Sequence, residues 1–125
     1  MSNTPTTLKY AKSDEWFDPA TGKVGITDYA QEQLSDIVFM EIIVNEGDEI
    51  EAGSQIASVE SVKAASDVLA PVSGKVVAVN ENLTSSPEAI NGDPYGSWFV
   101  QIEGGDGADL LDAAAYEKHC QERAH

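Results

Sequence analysis

QIASVESVKAASDVLAPVSGKVVAV, residues 55–79, decides how the chain folds. Gln55–Glu60 and Ser66–Ala70 are two short runs, and Lys75–Val79 is a third, set apart by Pro71 and Gly74. Strands this short, punctuated by Gly and Pro at intervals of roughly 8–12 residues, indicate an all-β sandwich or barrel. If the first two runs pair as a hairpin, Lys63 stands at its tip, ten residues after Gly53 and eleven before Gly74. The tip is chemically unusual. Hairpin turns favour Gly, Asn or Asp, whereas Val62, Ala64 and Ala65 surround this lysine. Small apolar neighbours leave the amine open to a modifying enzyme or to the mouth of a partner's active site.

Working outward, Gly47-Asp48 and Gly53 mark turns before the hairpin, and Ile37–Val44 is apolar and β-branched enough to predict a buried strand. Asp18-Pro19-Ala20-Thr21-Gly22 separates Lys9–Phe17 from Lys23–Ile26, which reads as two short strands around a loop. Thr27 resembles a helix N-cap, with Asp28 in the first turn near the positive end of the dipole, so a short helix is expected over Asp28–Leu34. Residues 80–97 read as a longer loop carrying Pro87, Gly92, Pro94 and Gly96, followed by a last strand at Trp98–Ile102. After the Gly104–Gly107 break, 109–122 reads as a helix with Leu110, Ala113, Ala114, Tyr116 and Cys120 on one side. Trp16 and Trp98 are expected to be packing residues. One domain is predicted over residues 1–125, with a core at 8–102 and the C-terminal helix at 109–122.

Seven basic residues face 22 acidic ones, a net charge of −15 with a pI near 4.1. Such a surface repels nucleic acid and anionic membranes alike. It serves solubility, or steers the chain toward basic docking surfaces, and composition does not choose between these. No apolar run approaches the roughly 20 residues of a membrane span. The start, MSNTPTTLKY, lacks secretory or transit character, so a cytoplasmic location is expected, or the mitochondrial matrix if a transit peptide has been removed. Cys120 is the single cysteine and cannot form an internal disulfide. His119 and His125 have no metal-ligand spacing, so no metal site is expected. Ser61 and Ser66 have no nearby His and are not candidate nucleophiles.

Between Lys23 and Lys75 the one cation is Lys63, amid ten acids. An exposed loop lysine with no further role would occupy the same position, and spacing does not separate the two. The surrounding strings do. ESVKAASD (60–67) and APVSGKVVAVN (70–80) resemble the attachment hairpin of the lipoyl-carrying H proteins of the glycine cleavage system. KYAKSDEW (9–16), VGITDYAQEQLSDIVFMEI (24–42) and NGDPYGSWFVQI (91–102) are similar to the same family, so the resemblance runs in order from about Leu8 to Ile102. Biotin carriers place Met on both sides of their lysine, where this chain has Val62 and Ala64. Lipoyl domains of 2-oxo acid dehydrogenases place Asp before it and belong to long chains, whereas this one is expected to be complete by itself. Two departures from the family pattern stand out: Asp14 where many relatives carry His, and no proline in Ile42–Asn45.

The resemblance implies a mainly β fold, a flattened sandwich or barrel-sandwich hybrid with short peripheral helices. It implies a carrier rather than an enzyme, with lipoic acid in amide linkage to Lys63. The implied partners are a pyridoxal-phosphate glycine decarboxylase that loads an aminomethyl group, an aminomethyltransferase, a dihydrolipoamide dehydrogenase and the lipoylating enzymes, with the chain itself a monomer. Glu60, three residues before Lys63, is the expected recognition residue on the hairpin, and the motif match places Ser13, Glu15 and Asp67 around the parked intermediate. An H-like protein that relays lipoate without glycine cleavage, and an interaction module without cofactor, are the competing expectations.

Overall fold

A computed structural model describes residues 3–105 and 107–123, so Asp106 of the predicted break and His125 lie outside the described residues. Strands β1 (Lys9–Tyr10), β2 (Glu15–Phe17) and β3 (Lys23–Ile26) lead into helix α1 (Asp28–Leu34). Next come β4 (Ile37–Ile42), β5 (Glu49–Ile50), β6 (Gln55–Ser61), β7 (Ala65–Leu69) and β8 (Gly74–Val79). A 3-10 turn (Glu81–Ser85), a helical turn α2 (Ala89–Gly92), β9 (Val100–Glu103) and helix α3 (Ala113–Arg123) complete the order. The strands form a six-stranded sheet, β1-β2-β3-β9-β8-β5, and a three-stranded sheet, β4-β6-β7. Every strand pairing is antiparallel, and no pairing among the described residues closes the two sheets into a barrel. Val24, Ile26, Val76, Val100 and Ile102 from the larger sheet share one buried cluster with Ile37, Met40, Ile56, Val59 and Val68 from the smaller.

The hairpin of 55–70 forms as expected, with Glu60 opposite Ala65 and Ser58 opposite Asp67. Helix α1 has the expected bounds because Thr27 caps it: Thr27 Oγ1 accepts the Ala30 N–H at 3.1 Å. Three expectations need correction. Lys9–Phe17 is not one strand but a tight hairpin, turned at residues 11–14 where Asp14 adopts φ 79°. Ile37–Val44 is shorter and only partly buried. A bulge between Ile37 and Phe39 lets two β4 residues oppose one step of β6, so Val38 and Phe39 both face out while Ile37 and Met40 face in. The loop at 80–97 holds two helical turns, and the final strand begins at Val100, not Trp98.

Trp16 is buried and donates its indole N–H to the Pro94 carbonyl at 3.1 Å. Its ring lies across Gly25 on the neighbouring strand, where a Cβ would sit 2.7 Å from the indole nitrogen. Only glycine allows that approach. Trp98 is half-buried, with the Lys23 ammonium 5.3 Å from its ring centre. Helix α3 begins later than predicted, and buries Ala113 and Tyr116 in a second cluster with Leu8, Tyr10 and Trp16. Ala114, expected on the packed side, is exposed.

Candidate functional site

The turn between β6 and β7 is held by Ser61 in place of the usual Gly or Asn. Ser61 N–H donates to the Ala64 carbonyl at 2.7 Å, while Ser61 Oγ accepts the N–H groups of Lys63 (3.3 Å) and Ala64 (3.1 Å). A side-chain oxygen thus satisfies the donors that a tight turn leaves free. Val62 and Lys63 keep negative φ, so neither needs the left-handed conformation of a primed hairpin turn. Val62 N–H also donates to the Asp36 carbonyl at 3.0 Å, which ties the tip to the start of β4. On this rigid base Lys63 is exposed, and among the described residues its ammonium has no ion-pair partner. Glu60 and Asp67, the acids that stood closest in sequence, do not hold it.

Ser13, Glu15 and Asp67, predicted together from separate strings, line one cleft of about 130 Å³ with Asp14, Gln33 and Leu34 among their neighbours. They differ in what they offer. Glu15 is 1% exposed, on the short strand β2. Its Oε1 accepts a short hydrogen bond from the Ser13 hydroxyl, and its Oε2 accepts the Leu69 N–H at 3.0 Å, across to the base of the lysine hairpin. Burial pushes its carboxyl up to about 7 despite those two donors, which pull the other way. Asp67 is exposed, and one of its oxygens accepts from Gln55 Nε2 at 3.1 Å, so it is partly engaged on the hairpin itself. Glu60 is exposed on the outer face of the small sheet, away from this cleft's lining.

Asp14, the departure from the family pattern, lines the cleft but turns its carboxylate to helix α3. Its Oδ1 accepts from the Tyr116 hydroxyl at 2.7 Å and from Arg123 at 2.5 Å, and Tyr116 in turn meets Thr27 Oγ1 at 2.7 Å. The charge added by Asp14 is therefore balanced by Arg123. Nothing in the sequence marks Tyr116 or Arg123 as belonging near the site; both are about a hundred residues from Asp14, beyond any local pattern. Ser61 carries no signal in the sequence beyond a serine without a nearby His, because its role is to brace the turn through its hydroxyl. A larger depression of about 650 Å³ beside Trp98, Asn80 and Val44 has only exposed carboxylates, Glu46 and Glu81, on its lining. No group of three or more His, Cys, Asp or Glu among the described residues is placed to hold a metal.

The reach of the lysine fits the cleft. Asp67 is four residues along the strand from Lys63, roughly 13 Å at about 3.3 Å per residue. A lysine extended by a lipoyl group spans about eleven bonds, roughly 14 Å. The cleft has room for a small amine head group and several waters, each water taking about 30 Å³. A buried carboxyl, a hydroxyl and a second carboxylate at the rim offer acceptors for the three donors of a primary ammonium.

A family model described as Glycine cleavage H-protein matches residues 8–123. The chain is 56% identical over 116 residues to the glycine cleavage system H protein of Deinococcus deserti, covering 91% of this chain and 95% of that protein. It is 52% identical over 124 residues to the protein of the same name from Burkholderia vietnamiensis, covering 94% and 98%. Among solved structures, the crystal structure of a glycine cleavage system H protein from Mycobacterium marinum matches with a TM-score of 0.83 and 36% identity, over 91% of this chain and 96% of that one.

Proposed function

The chain belongs to the glycine cleavage H-protein family, and on that premise we propose that Lys63 carries its lipoyl group and that the Ser13–Glu15–Asp67 cleft shelters the loaded arm. A member of this family is a lipoyl carrier of glycine cleavage, not a catalyst. The cofactor supplies the redox and group-transfer chemistry; the protein supplies a mount, a docking surface and a place to park the intermediate. The single observation that carries the assignment is the exposed, unpaired Lys63 on a turn braced by Ser61, within an arm's length of a buried carboxyl.

What the residues do follows from their positions. Ser61 fixes the direction in which Lys63 leaves the turn. Amide formation removes the lysine charge, so the arm moves over an acidic surface without being held by it. Tethering turns repeated capture into local search. A primary ammonium brought into the cleft on the arm would favour the ionised form of Glu15, which burial in the empty cleft disfavours. Ser13 orients that carboxylate, and the Leu69 N–H holds its other oxygen. Glu60, exposed three residues before Lys63, serves recognition of the hairpin by lipoylating enzymes. The decarboxylase, the aminomethyltransferase and the dihydrolipoamide dehydrogenase are the proposed shuttle partners. A cytoplasmic location fits the bacterial relatives and a chain in which no described helix is long and apolar enough to cross a membrane.

The test is loading with a purified glycine decarboxylase. The lipoylated chain should support CO₂ release from glycine and gain the aminomethyl mass, and a Lys63→Ala chain should do neither. In the Glu15→Gln, Asp67→Asn double variant the loaded form should shed ammonia and formaldehyde faster than wild type without the transferase. Release at the wild-type rate would remove the shelter role. A chain that is lipoylated but never loaded would instead be a lipoate relay.

A further inference from the structure

The β-bulge on β4 leaves something the carrier role does not explain. Val38 is 57% exposed and Phe39 is 49% exposed, side by side, in a strand that buries Ile37 and Met40 and half-buries Ile42. Without the bulge, strict alternation would turn Phe39 into the core and Met40 out to water. The bulge reverses that phase and places Phe39 directly opposite Glu60 on the outer face of the small sheet. Two residues along the same face, Glu41 and Asp67 flank Ser58. At the near end stands Val62, 68% exposed, next to Lys63. The face is therefore an apolar knob with Glu60 across from it and Glu41 two residues along, beside the lysine, and Asp67 farther out on β7.

We propose that this face, with Phe39 as its anchor, is the seat for the enzyme that attaches the lipoyl group, and that the enzyme's matching surface is an apolar socket rimmed by Lys and Arg. The proposal rests on Lys63 being the attachment site. Reach selects that occupant over the shuttle partners: a bare lysine extends only about 6 Å from its Cα, so an enzyme acylating it must press its active-site wall against the hairpin tip. A shuttle partner meets the end of an arm of roughly 14 Å and can stand off. Phe39 lies opposite a residue only three positions from Lys63, roughly 10 Å along the strand. A footprint of about 800 Å² per partner is roughly 28 Å across, so contact centred on the tip covers it. Charge sets the character of the socket rather than the choice of occupant: Glu60 and Glu41 beside one aromatic group, with Asp67 farther out on β7, disfavour an acidic rim and favour a basic one. Exposed aromatic residues ringed by polar groups commonly supply most of the energy of such contacts.

Steady-state lipoylation of the unmodified chain by a lipoate ligase, supplied with lipoate and ATP and followed by intact mass, tests this. Phe39→Ser should raise KM for the chain about tenfold while kcat stays within about twofold, the loss of one apolar anchor. Phe39→Leu should retain the wild-type KM. Once fully lipoylated by prolonged incubation, the Phe39→Ser chain should be reduced by NADH through dihydrolipoamide dehydrogenase at the wild-type rate. An unchanged KM for Phe39→Ser overturns the proposal, and so does an equal loss in both reactions, which would make the face a general dock. A wild-type chain that gains no lipoyl mass would instead overturn the assignment of Lys63, and the docking proposal with it.

Discussion

Glu15 is the residue in which folding and the proposed shelter role pull in opposite directions. Its carboxyl is buried, and burial raises it to about 7, so in the folded empty chain it holds a proton that an unfolded chain would release in the ordinary carboxylate range. A group raised in this way adds stability at low pH and loses that contribution as pH climbs from the carboxylate range through about 7. Glu15→Gln should therefore flatten the pH dependence of the melting temperature across that window and raise it at pH 8. A carboxamide can still accept the Leu69 N–H, and it carries no charge to bury. Thermal melts at pH 5 and pH 8 check this, and a variant that loses stability equally at both would show that Glu15 is ionised without penalty. The same substitution should shorten the life of the aminomethyl form, because the ammonium loses its anionic partner. A buried acid that costs stability at neutral pH is what the proposed shelter role calls for.

At the level of elements, the strings that repeat a local rule were legible and those set by distant contacts were not. Thr27 before Asp28 is a capping pattern, and α1 follows it residue for residue. Thr27→Ala should cost about 1–2 kcal/mol, since the same hydroxyl also meets Tyr116 on α3. A denaturant midpoint indistinguishable from wild type would remove the cap from the account. The 55–70 hairpin was legible because Gly53 and Gly74 bracket two short strands around a lone lysine. The bulge in β4 was not, because it is a matter of register against β6, and a run of Ile, Val, Phe and Met gives no sign of which residue is extra. The split of Lys9–Phe17 into two strands turns on Asp14, whose left-handed backbone is secured by contacts from Thr27, Tyr116 and Arg123 far along the chain. Ser13, Glu15 and Asp67 were placed together by family resemblance; spacing alone would not have joined β2 to β7.

Taken whole, the molecule is a strongly acidic body on which the proposed lipoyl arm would be uncharged. A net charge of −15 should speed encounters with basic docking surfaces, and at about 0.1 M salt the screening length is near 10 Å. Association rates with the partner enzymes, measured by stopped flow, should fall as salt rises while dissociation changes less. Rates that are flat across salt would assign the charge to solubility alone. Everything else in the account depends on where the cofactor is attached, and intact mass decides that. Co-expressed with a lipoylating system, the wild-type chain should gain about 188 Da, and Lys63→Arg, which keeps the charge and the turn, should gain nothing. Lipoyl mass retained in the Lys63→Arg chain would contradict the assignment.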